Sequence, residues 1–287
     1  MQPAPARPPW PRKKLIHSDD LRAIKAVLRR HAVRSVCEDA KCPNMSECFS
    51  RREATFIVLG DRCTRRCGFC AIPTGRPSPV DATEPERLAA ATRDMGLRHV
   101  VITAVARDDL DDGGAAHFAA CVRAVRSANP DTTVEVLTSD FGGDERALAV
   151  IADAPIAIFN HNVETVARLQ RVVRPQARYD RSLAVLATFK RMRPDVLTKS
   201  GLMLGLGEEG DEVEATMRDL RGADVDIVTI GQYMQPLGIK RDVVAYTPLE
   251  RFDALRALGD ALGFALTVSG PYVRSSFGAA EAAHVLG

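Results

Sequence analysis

The chain has 287 residues, 46% apolar and only 5% aromatic, with a net charge of +2. That length suits one α/β domain with an aliphatic core, and the near-balanced charge excludes a dedicated nucleic-acid binder. No apolar run approaches the roughly 20 residues of a membrane-spanning helix, so no membrane span is predicted.

In chain order, residues 1–17 are rich in Pro, Ala and Arg and read as a disordered tail. They show no signal-peptide pattern, which makes the cytoplasm the default compartment. Ser18 reads as the N-cap of a helix running to about Arg30. An N-terminal extension over 18–52 then carries Cys37, Cys42 and Cys48 in a loop of its own. Across 53–270, short apolar runs alternate with helical patterns. Strands are predicted at Thr55–Gly60, His99–Thr103, Thr133–Thr138, Pro155–Asn160, Leu197–Gly205 and Asp226–Gly231, with a seventh apolar run at Phe264–Ser269. Helices are predicted near 84–95, 115–128, 144–152, 162–170, 180–192, 211–221 and 249–262. This alternation implies parallel strands joined by right-handed crossovers, hence an α/β fold of the partial (β/α)6 TIM-barrel type. Residues 271–287 form a C-terminal segment containing Arg274-Ser275-Ser276.

Six of the seven cysteines form two triplets, C-x4-C-x5-C at Cys37, Cys42 and Cys48 and C-x3-C-x2-C at Cys63, Cys67 and Cys70. A four-iron cluster takes soft thiolates, and a triplet leaves one iron open to bind something chemical. A disulfide framework belongs to short secreted chains. Zinc is the next reading, since Cys67-Gly-Phe-Cys70 has a zinc-like step, but structural zinc wants four ligands in paired knuckles. A redox dithiol at Cys67 and Cys70 leaves Cys63 unexplained. The residues favour two iron–sulfur clusters and an enzyme. Cys121, in HFAACVRAV, reads as a buried small hydrophobe. The basic spots Arg12 to Lys14, Arg51-Arg52 and Arg65-Arg66 read as solvated surface.

Polar motifs fall at the ends of the predicted strands, where barrel enzymes place their sites. They are DRCTRRCGFCAIPTG, TAVARDDLDDGG, LTSDFGG, FNHNVET, the Lys199-Ser200 stretch running through GLMLGLGE, and IGQY. Each alone is a weak signal, because an Asp pair is usually a solvated turn and a lone His more often caps or packs. Six consecutive strands with polar ends predict a ring of donors and acceptors around the second triplet.

The stretch from Cys63 to Cys70, with Phe69 before the last cysteine, resembles the C-x3-C-x2-C signature of radical S-adenosylmethionine enzymes. Together with VCEDAKCPNMSEC upstream, RDDLDDGGAAHF, FNHNVET, KSGLMLGLGE, TIGQY and the terminal SGPYVRSSF, it resembles the lipoyl synthase family from about Val36 to Ala279. The resemblance implies two [4Fe-4S] clusters and S-adenosyl-L-methionine as cofactors. The open iron of the Cys63/Cys67/Cys70 cluster would chelate adenosylmethionine, whose reductive cleavage gives a 5′-deoxyadenosyl radical able to attack unactivated alkyl carbon. The substrate would be an octanoyl group on a lysine of a lipoyl carrier protein, a lipoyl domain or a glycine-cleavage H protein. Sulfur would enter at C6 and C8 from the cluster on Cys37, Cys42 and Cys48. An electron donor such as flavodoxin or ferredoxin and an iron–sulfur carrier complete the implied partners, with no nucleic acid.

By the same resemblance, the fourth ligand of the auxiliary cluster is Ser276, and Arg274 is a counter-charge to an anionic cluster. A serine oxygen is harder than thiolate and should hold iron less firmly. Read from the residues alone, Arg274-Ser275-Ser276 is a surface turn. Gly201-x-Met203-x-Gly205-x-x-Glu208 resembles the superfamily's adenine-side element, where glycines admit close backbone approach; by itself it reads as a strand with a glycine bulge. Thr103 and the loop to Asp108 are expected near the methionine end, and Asn160, Asn162, Lys199 and Gln232 near ribose or carboxylate. Phe277 stands where the family generally has tyrosine, and Ala106 where aspartate or asparagine is usual. The alternatives are another sulfur-inserting radical enzyme such as a methylthiotransferase, which would add an RNA-binding domain, and a two-cluster electron carrier, which would close its clusters with a fourth Cys.

Overall fold

The computed structural model describes residues 8–10, 18–39, 42, 44–236, 238–239 and 241–276. Its elements are α1 (Ser18–Arg30), β1 (Arg34–Ser35), α2 (Val36–Asp39), α3 (Met45–Ser50), β2 (Glu53–Val58), α4 (Glu84–Asp94), β3 (His99–Ala104), α5 (Ala115–Ala128) and β4 (Thr133–Leu137). They continue with α6 (Glu145–Ala152), β5 (Ile158–Asn160), α7 (Gln170–Val173), α8 (Tyr179–Met192), β6 (Leu197–Leu204), α9 (Gly210–Gly222), β7 (Ile227–Gln232), α10 (Leu249–Ala261) and β8 (Leu266–Gly270). The eight strands follow chain order in one sheet, from β1 to β8. That order is the one strand–helix alternation produces when each right-handed crossover adds the next strand alongside the last.

Contacts divide the described residues into two compact units, one from Lys13–Arg65, Ile72–Phe159 and Ser276 onward, the other from Met1–Arg12, Arg66–Ala71 and Asn160–Ser275. In the first unit β1 pairs antiparallel with β2, while β2 with β3 and β3 with β4 pair in parallel. Every residue of β2 is buried, the near-continuous apolar reading of a strand covered on both faces. Phe56, Ile102, Phe118, Leu148 and Ile151 fill the core there, each side chain worth about 1.5–3 kcal/mol on burial.

In the second unit β6, β7 and β8 pair in parallel, with Phe189 and Phe252 fully buried. His161 Nε2 meets Ser182 Oγ of α8 at 2.9 Å. Lys190 Nζ donates to Asp226 Oδ2 at 2.8 Å, which ties α8 to the entry of β7.

The helix expected over 162–170 does not form there. Glu164 takes φ +65° and bridges to β6, its N–H donating to Gly201 C=O at 2.9 Å and its C=O accepting from Met203 N–H at 3.0 Å. Helical turns begin only at Ala167. The first triplet is also more structured than the loop expected for it, since Cys37 lies on α2 and Cys48 on α3.

Of the expected tail, residues 8–10 are described, and there Trp10 is 7% exposed. Its Nε1 donates to Thr247 C=O at 3.2 Å, and its ring meets Tyr246 and Tyr272 edge-on. The rest of that segment and Phe277 lie outside the described residues. No helix among the described residues is long and apolar enough to cross a membrane.

Candidate active site

Two short helices carry the outer cysteines of the first triplet, Cys37 on α2 and Cys48 on α3. Cys42 N–H donates to Cys37 C=O at 3.0 Å, and Met45 N–H to Cys42 C=O at 3.2 Å. Cys37 N–H donates to Ser35 Oγ, whose hydroxyl donates to Thr55 C=O of β2. Burial pushes the Cys37 thiol up, with Cys42 adding to it. Burial pushes Cys48 up to about 12, and Cys37, Cys42, Glu53 and Glu47 add to that. Cys37 and Cys48 thus hold their protons unless a cation replaces them. Iron does that, because metal binding to thiols releases the protons. The donor set fits an iron–sulfur cluster.

In the same unit, Cys63 stands on a loop braced from both sides. Its N–H donates to Pro73 C=O and its C=O accepts from Gly75 N–H, both at 3.0 Å. Its Sγ accepts from Arg65 N–H at 3.4 Å and Ala106 N–H at 3.3 Å. Two backbone donors on one sulfur fix where it points. The RDDLDDGG motif supplies the brace. Asp108 accepts from Thr64 Oγ1 at 2.7 Å and takes Arg65 through both carboxylate oxygens. Arg107 is held by Asp109 at 2.8 and 2.9 Å, and Asp112 caps α5 through Gly114 N–H and Ala116 N–H.

In the other unit, Cys67 and Cys70 close a tight turn, Cys70 N–H donating to Cys67 C=O at 3.1 Å. Gly68 N–H donates to Val173 C=O at 2.8 Å and Arg66 N–H to Gln176 Oε1 at 2.9 Å. Phe69, the aromatic of the signature, packs against Val173, Leu206, Tyr233 and Val243. A Cβ on Gly68 would meet Arg241 Nε at 2.9 Å.

The residues expected around adenosylmethionine fall into groups. Asn162, Glu164 and Gly201 come together: Asn162 Nδ2 donates to Glu164 Oε1 at 3.0 Å, and a Cβ on Gly201 would strike Asn162 Oδ1 at 2.7 Å. That Oδ1 is buried with no hydrogen-bond partner among the described residues, as expected of an acceptor kept for a polar ligand. Burial pushes the Glu164 carboxyl above its usual range, against the pull of Arg174 and Arg274. Gly205, Glu208 and Gln232 form a second group. Glu208 accepts from the N–H groups of Gly205 and Leu206, which closes the turn after β6. Gln232 donates to Ala245 C=O at 3.0 Å and accepts from Thr247 N–H at 2.9 Å. Gly205, at φ +98°, has no room for a Cβ, which would meet Gln232 Nε2 at 2.1 Å. Thr103 Oγ1 donates to Leu137 C=O at 2.8 Å. Asn160 and Lys199 are buried at the end of β5 and within β6.

Near the C-terminus, Arg274 Nη1 donates to Gln232 C=O at 3.1 Å, so the Arg274-Ser275-Ser276 segment is latched to the end of β7. Ser275 and Ser276 are both half-buried.

Arg65 corrects the surface reading of its basic pair. It is 8% exposed and also donates to the fully buried Asp140 at 2.6 Å. The available signal was an acid following each of two successive predicted strands, Asp108 and Asp140, with a cation inside the cysteine loop. The hydrogen bonds that Glu208 and Gln232 make to nearby backbone had no such signal in the sequence.

Residues 57–220 match the model of the Radical SAM superfamily. The chain is 52% identical over 286 residues to a lipoyl synthase of Methylococcus capsulatus, covering 99% of this chain and 89% of that one. It is 50% identical over 278 residues to a lipoyl synthase of Xanthomonas euvesicatoria, covering 96% and 82%. Among solved structures, it is similar to the FeFe-hydrogenase maturase HydG from Carboxydothermus hydrogenoformans, with a TM-score of 0.57 at 14% identity over 93% of this chain and 77% of that one. Methylornithine synthase is similar with a TM-score of 0.54 at 14% identity, over 91% and 85%. At such identity these two likenesses speak for the partial-barrel fold alone.

Proposed function

The chain belongs to the lipoyl synthase family of the radical S-adenosylmethionine superfamily, and from that premise we propose which residues do which part of the work. The enzyme is a radical sulfur-inserting transferase with two [4Fe-4S] clusters and S-adenosylmethionine. Its substrate is an octanoyl chain on a lipoyl carrier protein, thiolated at C6 and C8. When bound, the cluster at Cys63, Cys67 and Cys70 supplies the electron that cleaves adenosylmethionine, and the cluster at Cys37, Cys42 and Cys48 supplies sulfide.

The protein's own contribution is positional. Ala106 and Arg65 N–H groups aim the Cys63 sulfur, while Phe69 and the Gly68–Val173 hydrogen bond seat the turn that bears Cys67 and Cys70. Asn162 Oδ1, set close against Gly201, accepts a hydrogen bond from the ribose or amino group of adenosylmethionine. Glu208 and Gln232 keep the strand ends in shape and stand beside the adenosylmethionine site. Ser276 provides the oxygen ligand of the auxiliary cluster, in keeping with its place in the RSS motif that the family shares. A flavodoxin or ferredoxin reduces the radical cluster, an iron–sulfur carrier rebuilds the auxiliary one, and the work is done in the cytoplasm.

The observation carrying this reading is a pair of cysteine triplets, one borne by α2, α3 and the Cys42 between them and one with a sulfur held by two backbone donors. Cys63→Ala should abolish 5′-deoxyadenosine formation under anaerobic reduction while leaving the auxiliary cluster's iron in place. Wild-type deoxyadenosine yield from that variant would put the radical chemistry elsewhere.

A further inference from the structure

Leu59 lies just past the end of β2 and four residues before Cys63, with φ +68°. A left-handed conformation strains an L-residue with a branched side chain and persists only where the surroundings hold it. Here both polar groups of the residue are held by charged side chains. Leu59 N–H donates to Glu84 Oε2 at 3.0 Å, and Leu59 C=O accepts from Arg107 Nη1 at 3.2 Å. One bond restrains φ and the other ψ. Glu84, the first residue of α4, is fixed in turn by His117 Nε2 of α5 at 2.8 Å. Arg107 is 3% exposed and gripped by both carboxylate oxygens of Asp109. Its neighbour Ala106 donates to the Cys63 sulfur. The departure of the loop from β2 and its first sulfur therefore hang from the same short segment.

We propose that Glu84 and Arg107 are positioning residues for the radical cluster. By clamping Leu59 in its left-handed conformation they set the direction in which the chain leaves β2, and with it the place of the Cys63 thiolate. The proposal rests on the reading of Cys63 as a ligand of that cluster. A rival exists at the same spot. Among the described residues, Glu84, His117 and Cys121 form the one group of three with donor atoms within 4.8 Å of one another, so a divalent ion could bridge α4 and α5. The Glu84 carboxylate already accepts from Leu59 and pairs with His117, which favours the hydrogen-bonded clamp.

The test uses anaerobically reconstituted holoenzyme as wild type, Glu84→Ala, Glu84→Gln, Leu59→Gly and the Glu84→Ala/Leu59→Gly double variant. Iron content, the electron paramagnetic resonance spectrum of the reduced cluster with adenosylmethionine, and the deoxyadenosine rate are read for each. Glu84→Ala should lower the rate about 5- to 30-fold, the population change that the strain of one left-handed residue corresponds to. It should also broaden the cluster spectrum. Glu84→Gln keeps an oxygen for Leu59 N–H and should stay within about threefold of wild type. Glycine adopts this conformation freely, so in the Leu59→Gly background Glu84→Ala should cost less than about twofold.

Equal losses from Glu84→Ala in both backgrounds, or no loss in either, overturn the clamp. So does one zinc per wild-type chain that Cys121→Ser removes, since Glu84 would then be a metal ligand. If wild type itself makes no deoxyadenosine, the functional reading fails. The clamp is then judged by the iron content and spectrum of the Cys63-bearing cluster across the same variants.

Discussion

Arg65 Nη2 lies 2.6 Å from Asp140 Oδ1 and 2.6 Å from Asp108 Oδ1, so one buried guanidinium joins the residues that follow β3 and β4. The two carboxylates are unequal partners: Asp140 is fully buried and the Asp108 side chain is 44% exposed. Removing the buried partner strands a buried charge, whereas removing the exposed one leaves water to replace it. Asp140→Ala should therefore cost about 3 kcal/mol or more in chemical denaturation, and Asp108→Ala about 1 kcal/mol. Equal costs would mean that Arg65 swings out to solvent when either partner is lost.

Acid should act through the same loop. Arg65 holds the Asp108 carboxyl below the ordinary aspartate value of 3.8, and Arg107 does the same for Asp109. A carboxyl depressed in the folded state adds stability that is present above 3.8 and is lost as pH falls through its folded value. The contribution of these two carboxyls to the denaturation midpoint should stay flat from about pH 7 to pH 5 and fall from about pH 4. Asp108→Asn should shallow that fall. An unchanged acid limb in the variant would assign it to other groups.

The strand–helix alternation was legible because each apolar run is bounded by turn residues, and every predicted strand from Thr55 onward has a counterpart in the structure. What failed at 162–170 was local periodicity: the spacing is helical, but the backbone of Glu164 is engaged by Gly201 and Met203 of β6, a partner 37 or more residues away that no local pattern encodes. The cysteines stood out as candidates for the opposite reason, since thiolate chemistry is written in residue type and spacing. Arg65 and Trp10 were not. Whether a cation or an aromatic in a Pro- or Arg-rich stretch is buried depends on Asp140 or on Tyr246 and Tyr272, all remote in sequence.

Gly231 marks where the C-terminal segment crosses β7. A Cβ there would lie 2.1 Å from Val273 C=O, a backbone atom that cannot rotate away. Gly231→Ala should displace the segment that Arg274 latches to Gln232 and destabilise the fold by about 1–3 kcal/mol. Thiolated product should fall more than deoxyadenosine. Equal falls in the two products would show that the segment also supports radical generation.

Ser276→Ala should keep most of the iron, because three thiolates still hold the auxiliary cluster, and deoxyadenosine should continue to form. Thiolated product should fall severely. Ser275→Ala should be milder, because under the proposed assignment that side chain is an outer neighbour of the ligand set. A crippled Ser275→Ala beside an active Ser276→Ala would move the ligand assignment by one residue.

The central claim is that the two triplets divide the chemistry, one making the radical and the other giving up sulfur. Its most direct test is anaerobic turnover of the Cys37→Ala/Cys42→Ala/Cys48→Ala variant on an octanoyl-lysine carrier peptide, read by mass. Wild type should hold about eight irons and the variant about four. The variant should still convert adenosylmethionine to deoxyadenosine and add no sulfur to the peptide. Peptide carrying sulfur, made by the variant from its remaining cluster, would contradict the account.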